Sequence, residues 1–174
     1  MAATFRPLGA HESRLLEEAT LGNMNWCGPR FTAQDVRDRP EFAHYTRLVP
    51  QRGDFGVVAD GADGAVGVVW ALFLPAHDPG YGYVDERTAE ISLWVSEDNR
   101  RKGVGRALLR HVIDEARARG VPRLSLSVEA GNHAKALYRS EGFSDWPGGQ
   151  ADGVMVLELD EARKPGPPPQ AFLG

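Results

Sequence analysis

The segment Val95-Ser96-Glu97-Asp98-Asn99-Arg100-Arg101-Lys102-Gly103-Val104-Gly105-Arg106 joins the end of a strand-like pattern to the start of a long amphipathic one through a polar turn. The first turn of a helix carries backbone N–H groups with no intrahelical partner. They point out together and the helix dipole adds partial positive charge, so such a junction binds anions. Gly103 and Gly105 remove side chains where a phosphate would touch the backbone, and they permit a tight start to the helix. Arg100, Arg101 and Lys102 precede it and raise the local potential. A diphosphate is the expected guest. Two other phosphate loops do not fit. A nucleoside-triphosphate loop needs Gly-x-x-x-x-Gly-Lys-Ser/Thr, but Lys102 comes before Gly103 and no Ser or Thr follows Gly105. A dinucleotide fingerprint needs a third glycine where Leu108 stands.

The flanking elements can be read from periodicity. Ala89 to Ser96 predicts a strand with Ile91, Leu93 and Val95 on one face and Glu90, Ser92 and Trp94 on the other. Gly103 to Arg119 predicts a helix with Val104, Leu108, Val112 and Ala116 at i+4 and Gly120 just past its end. Upstream, Thr4 to Leu8 predicts an edge strand limited by Pro7. His11 to Leu21 predicts a helix, followed by a loop from Asn23 to Phe31. Thr32 with Asp35 predicts a capped helix start, and Glu41 to Leu48 a second short helix. Phe55–Ala59 and Val66–Leu74 flank Gly61-Ala62-Asp63-Gly64 as a hairpin. Downstream come a strand at Leu124–Val128, a helix at Asn132–Ser140, and two strands, Phe143–Trp146 and Val154–Leu159, around a Pro-Gly-Gly turn. This order predicts a single α/β layer of helices on a mixed sheet. The expected division is one domain, 1–162, and a proline-rich tail, 163–174, expected to be disordered.

At 174 residues with 42% hydrophobic and 25% charged residues, the chain can bury one sizeable core. Its formal net charge of −4 argues against bulk attraction to nucleic acid. The single cysteine, Cys27, allows neither an internal disulfide nor a multi-cysteine zinc site. Met1 to Ala10 lacks the basic start and apolar run of a signal peptide, and the most apolar stretch, Val66 to Pro75, is too short to span a bilayer. The expectation is a cytoplasmic protein with no nucleic-acid or membrane partner and no metal.

Two motifs resemble the GCN5-related N-acetyltransferase (GNAT) family. Arg100-Arg101-Lys102-Gly103-Val104-Gly105 matches its Gln/Arg-x-x-Gly-x-Gly/Ala signature. The run Asn132-His133-Ala134-Lys135-Ala136-Leu137-Tyr138-Arg139-Ser140-Glu141-Gly142-Phe143 is similar to its Asn-x-x-Ala-x-x-Leu-Tyr-x-x-x-Gly-Phe. The resemblance implies a mostly antiparallel central sheet, flanked by helices, whose middle strands splay apart to admit acetyl-CoA as co-substrate. It implies that the pyrophosphate lies on the amides of Arg101, Lys102, Gly103, Val104, Gly105 and Arg106, with Arg100 opening the signature. It implies further that the pantetheine arm bonds to backbone near Leu93 and Val95, that Asn132 steadies the arm, and that Tyr138 sits near the thioester sulfur. A homodimer through the final strands is compatible with it.

Amine attack on a thioester requires a proton acceptor, donors for a tetrahedral oxyanion and departure of a thiolate, but no enzyme nucleophile. Tyr138 is the expected donor to the sulfur, the Val95 N–H the expected oxyanion donor, and Glu90 the expected base, directly or through water, with Glu129 second and His133 third. Arg106 could also fold over a phosphate. Asn23–Arg30 and Pro75–Glu86 are expected to form the acceptor side, with Trp26, Tyr81 and Tyr83 as walls and Asp78, Asp85 and Glu86 suiting a cationic amine. The acceptor is expected to be a small-molecule amine. A peptide amine, or a non-catalytic acyl-CoA-binding module, are the alternatives.

Overall fold

The computed structural model describes residues 2–147 and 153–159. The expected tail, 163–174, and most of the Pro-Gly-Gly turn lie outside the described residues. Among the described residues, seven strands form one sheet in the order β1-β2-β3-β4-β5-β7-β6. They are β1 (Thr4–Pro7), β2 (Phe55–Gly61), β3 (Gly64–Leu72), β4 (Thr88–Val95), β5 (Arg123–Ser127), β6 (Ser144–Asp145) and β7 (Val154–Glu158). Only β4 and β5 pair parallel; the remaining pairs are antiparallel. Pro7 ends the edge strand β1, as its missing N–H requires.

Helices cover both faces. On one face, α4 (Val104–Ala118) buries Leu108, Leu109, Val112, Ile113 and Ala116 against Val69, Ala71, Ile91 and Leu124. Each fully buried leucine contributes about 2 kcal/mol. On the other face, α1 (Ser13–Met24) lays Leu16 and Ala19 over Val68, Trp70 and Trp94. The helix begins and ends later than periodicity suggests, running through Gly22, where a Cβ would lie 2.3 Å from Trp94 Nε1. Glycine is therefore the residue that lets α1 approach the sheet.

Thr32 caps α2 (Ala33–Asp38) with a reciprocal capping box to Asp35. The helix expected over Glu41–Leu48 is instead α3 (Pro40–Ala43) followed by a 3-10 turn, His44–Thr46. Phe42, His44 and Tyr45 are all buried, a spread too wide for one face of a regular helix. The last helix, α5 (Ala134–Ser140), packs beside the first turn of α4: a Cβ on Gly105 would be 3.8 Å from Leu137 and 3.6 Å from Val95.

Candidate active site

The parallel pair β4–β5 holds only through Thr88↔Arg123, Ala89↔Leu124 and Glu90↔Ser125. Beyond Glu90, β4 runs on to Val95 paired with β3 alone, while β5 continues against β7. The two strands thus part at Glu90, and a gap opens toward Val95. The Ser96 N–H bonds the Val66 carbonyl at 2.9 Å, which with the β3–β4 register turns the main-chain groups of Ser92 and Trp94 toward β3. Those of Leu93 and Val95 therefore face the gap. Consistently, the Val95 carbonyl accepts from Arg100 Nε at 3.1 Å. Among the described residues, the Leu93 and Val95 N–H groups have no neighbouring strand on that side, and unpaired backbone groups call for a partner.

A second set of free amides adjoins the gap. The first intrahelical bond of α4 runs from Ala107 N–H to the Gly103 carbonyl (3.1 Å), which leaves the N–H groups of Val104, Gly105 and Arg106 without helix partners. No side chain caps this end. Gly103 is left-handed (φ 83°) and a Cβ there would meet nothing within 4 Å. Arg101 is also left-handed (φ 60°), so the turn Arg101-Lys102-Gly103 curls its backbone toward one side, a shape that favours anions. Arg101 and Lys102 are exposed and make no ion pair among the described residues. A diphosphate fits this cradle: the helix end is open, uncapped and positive.

The other expected residues divide. Arg106 does not lean over the turn; its guanidinium pairs with Glu141 and bonds Ser140 Oγ (3.0 Å), so only its amide faces the cradle. Glu141 is held low first by Arg110 and then by Arg106. Asn132 spends its side-chain carbonyl on the Ala134 N–H (3.0 Å), opening α5. It also stands one place closer to Tyr138 than the family pattern has its asparagine; that register falls on Gly131. Tyr138 is buried against Phe143, and burial pushes its phenol up to about 12. The hydroxyl makes no hydrogen bond among the described residues.

Glu90 lies on the opposite face of the sheet from Tyr138, at the apex where the strands part. It is 5% exposed, and burial raises its carboxyl to about 7 against the lowering effects of bonds from Tyr45 and Gly82. Oε1 accepts from the Tyr45 hydroxyl (2.8 Å) and the Gly82 N–H (2.9 Å), while Oε2 is buried with no hydrogen-bond partner among the described residues. Glu129 is different: the Trp26 indole N–H (2.8 Å) and Arg30 (3.2 Å) hold it low, as an exposed and charged carboxylate. It fastens the loop after α1 to the end of β5 rather than waiting for a proton.

The segment from Pro75 to Arg87 folds over the apex as a strap. Tyr81 is 49% exposed. Two of the three acidic residues expected to attract an amine are committed elsewhere. Asp78 bonds His44 Nδ1 (2.9 Å), and Asp85 accepts from the Arg87 and Thr88 amides. Sequence reasoning missed Tyr45, which bears no motif, and missed that Gly80 and Gly82 are contact glycines; the Gly-Tyr-Gly-Tyr run was the signal available.

Known proteins place this geometry in context. The "Acetyltransferase (GNAT) family" model matches residues 19–143. The [ribosomal protein bS18]-alanine N-acetyltransferase of Escherichia coli K12 is 49% identical over 63 residues, 36% of this chain and 42% of that protein. The match thus spans less than half of that relative. Among solved structures, an acetyltransferase of the GNAT family from Staphylococcus aureus Mu50 superposes with a TM-score of 0.68 at 16% identity, covering 91% of this chain and 99% of that one. A GNAT superfamily phosphinothricin acetyltransferase from Sinorhizobium meliloti, in complex with acetyl-CoA, gives 0.62 at 22% identity over 95% and 94%. These two likenesses concern the fold alone. With the family model covering most of the described chain, the protein belongs to the acetyltransferase (GNAT) family.

Proposed function

We propose that this GNAT-family protein moves the acetyl group of acetyl-CoA to a primary amine of a small molecule, by direct attack in a ternary complex. The single observation that carries this reading is the parting of β4 from β5 beyond Glu90, which leaves Leu93 and Val95 main-chain groups facing a gap that ends at an uncapped helix. The amides of Arg101 to Arg106 hold the pyrophosphate, and the β4 backbone lines the acyl arm. Asn132 flanks that arm at the end of β5.

The chemistry is divided between the two faces of the sheet. The amine nitrogen attacks the thioester carbonyl carbon, and the oxyanion takes a hydrogen bond from the Val95 N–H. Glu90 accepts the proton leaving the nitrogen. Oε2 is buried behind Gly80, so the proton reaches it through a water admitted when the strap shifts. A carboxyl titrating near 7 is poised for that task. The carbon–sulfur bond then breaks and CoA leaves as a thiolate. Tyr138 approaches from the α4 face. Its phenol, at about 12, is a weaker acid than an ordinary thiol at about 8.5, so it stabilises the sulfur by hydrogen bonding rather than by full proton transfer.

The strap supports a small acceptor. Folded onto β5 at Leu126–Ser127, it closes one side of the cleft that an extended peptide would need to cross. The test is acetylation of a panel of amines, including amino acids, polyamines and peptide N-termini, read as released CoA thiol and product mass. Turnover of small amines above peptides is expected. Preference for peptides would overturn the acceptor class, and acetyl-CoA binding without turnover on any amine would overturn catalysis.

A further inference from the structure

Tyr45 sits beneath the strap and is 4% exposed. Its hydroxyl donates to Glu90 Oε1 (2.8 Å) and accepts from the Tyr81 N–H (2.8 Å). The Tyr45 and Tyr81 rings stack at 6.4 Å and 13°. The packing at two strap glycines is close. A Cβ at Gly80 would fall 1.8 Å from Glu90 Oε2 and 2.6 Å from the Tyr45 hydroxyl. A Cβ at Gly82 would fall 2.7 Å from the Leu126 carbonyl carbon and 2.9 Å from the Ser127 nitrogen. Strap, carboxylate and phenol form one unit across the apex of the gap.

We propose that Tyr45 is a positioning residue that fixes the Glu90 carboxylate with Oε2 as its proton-accepting oxygen and, through the same hydroxyl, sets Tyr81 as the wall of the acceptor site. This rests on Glu90 being the base. With two donors on Oε1, the remaining basic lone pairs are those of Oε2. Burial drives the Tyr45 phenol far above its ordinary range, so it stays protonated and can only donate to the carboxylate. Donation to the charged form opposes the effect of burial on Glu90. The groups facing Glu90 are Tyr45 from the 3-10 turn, the Gly82 amide and Gly80 from the strap, and Ser125 across in β5. No charged side chain among the described residues weighs on it. The Tyr45 backbone is anchored separately, its carbonyl accepting from the Trp70 indole N–H at 2.9 Å.

The experiment compares kcat against pH for the parent, Tyr45→Phe, Glu90→Gln and the double variant. Both substrates are saturating, and two acceptors with different amine pKa separate enzyme ionisation from substrate ionisation. Tyr45→Phe should move the rising limb up by about 1 to 2 pH units, a fall in kcat of fivefold or more at pH 7. It should also raise KM for the acceptor while leaving KM for acetyl-CoA unchanged. The limb should vanish in Glu90→Gln, and adding Tyr45→Phe should then shift nothing further. If Glu90→Gln keeps the limb, the base reading fails. If Glu90→Gln loses it while Tyr45→Phe leaves it in place, the base reading stands and the role of Tyr45 is overturned. Should Tyr45→Phe fold poorly, 3-fluorotyrosine at position 45, a stronger donor of nearly the same shape, must move the limb down; an unmoved limb also overturns the proposal.

Discussion

Valine at Gly103 separates the anion cradle from mere helix stability, because a matched control exists at the other end of α4. Gly103 precedes the helix at φ 83° and Gly120 follows it at φ 71°, and neither would bring a Cβ within 4 Å of anything. Forcing a β-branched residue into that region costs about 1–3 kcal/mol at either position. A domain with about 5–15 kcal/mol of stability survives this. A penalty near 2 kcal/mol should lower Tm by about 4–8 °C in both variants. The 15-residue helix separates them, so the two sites lie about 25 Å apart. Only at Gly103 does the new side chain stand where a phosphate must approach the free amides of Val104, Gly105 and Arg106. Losing two amide–phosphate bonds at about 1.5 kcal/mol each weakens acetyl-CoA binding about 100-fold. Calorimetric titration of acetyl-CoA into the parent, Gly103→Val and Gly120→Val measures this. The reasoning is refuted if Gly103→Val binds within threefold of Gly120→Val, whether both bind normally or both fail.

Tyr138→Phe should lower kcat about 100-fold with acetyl-CoA affinity nearly unchanged. Its Tm should hold or rise, since the deleted hydroxyl makes no bond among the described residues; an unaltered kcat removes Tyr138 from the chemistry. Glu90→Gln should trade activity for stability. Because burial raises the Glu90 carboxyl from its ordinary 4.5 to about 7, the folded protein holds that proton more tightly than the unfolded chain, and stability falls as pH rises between those values. Melting curves should find Glu90→Gln more stable than the parent at pH 8, by on the order of 3 kcal/mol, with the difference gone near pH 4; equal melting at pH 8 would contradict the burial argument. Arg106→Ala should change acetyl-CoA Kd no more than about fivefold, since its exposed guanidinium pairs with Glu141 and only its amide faces the cradle. A 100-fold loss by titration would return that side chain to the phosphate.

Local signals carried much of this site. The strand's alternation, the helix stripe and the glycines at 103 and 120 depend on neighbours within a turn or two, so the open helix end was legible at residue level. The faces of β4 were also legible: Trp94 packs under α1 while Ile91 packs under α4. Long-range packing was not. The contact of Gly22 with Trp94 has no local signal, and Glu129 reads as a spare base until Trp26, about a hundred residues away, donates to it. Tyr45 lies in a segment whose sequence reads as a short helix, and its partners Glu90 and Tyr81 come from other elements. Glu90 itself was found from its place on the strand, but the strap that seals it could not be read from spacing.

The placement of acetyl-CoA between the parted strands is tested most directly by backbone amide NMR of the labelled protein during titration with acetyl-CoA. The amide signals of Leu93, Val95 and Gly103 to Arg106 should shift furthest and saturate together, with Gly120 and the amides of β1 unmoved. A folded protein whose Val95 and Gly103–Arg106 amides stay in place at millimolar acetyl-CoA would contradict it.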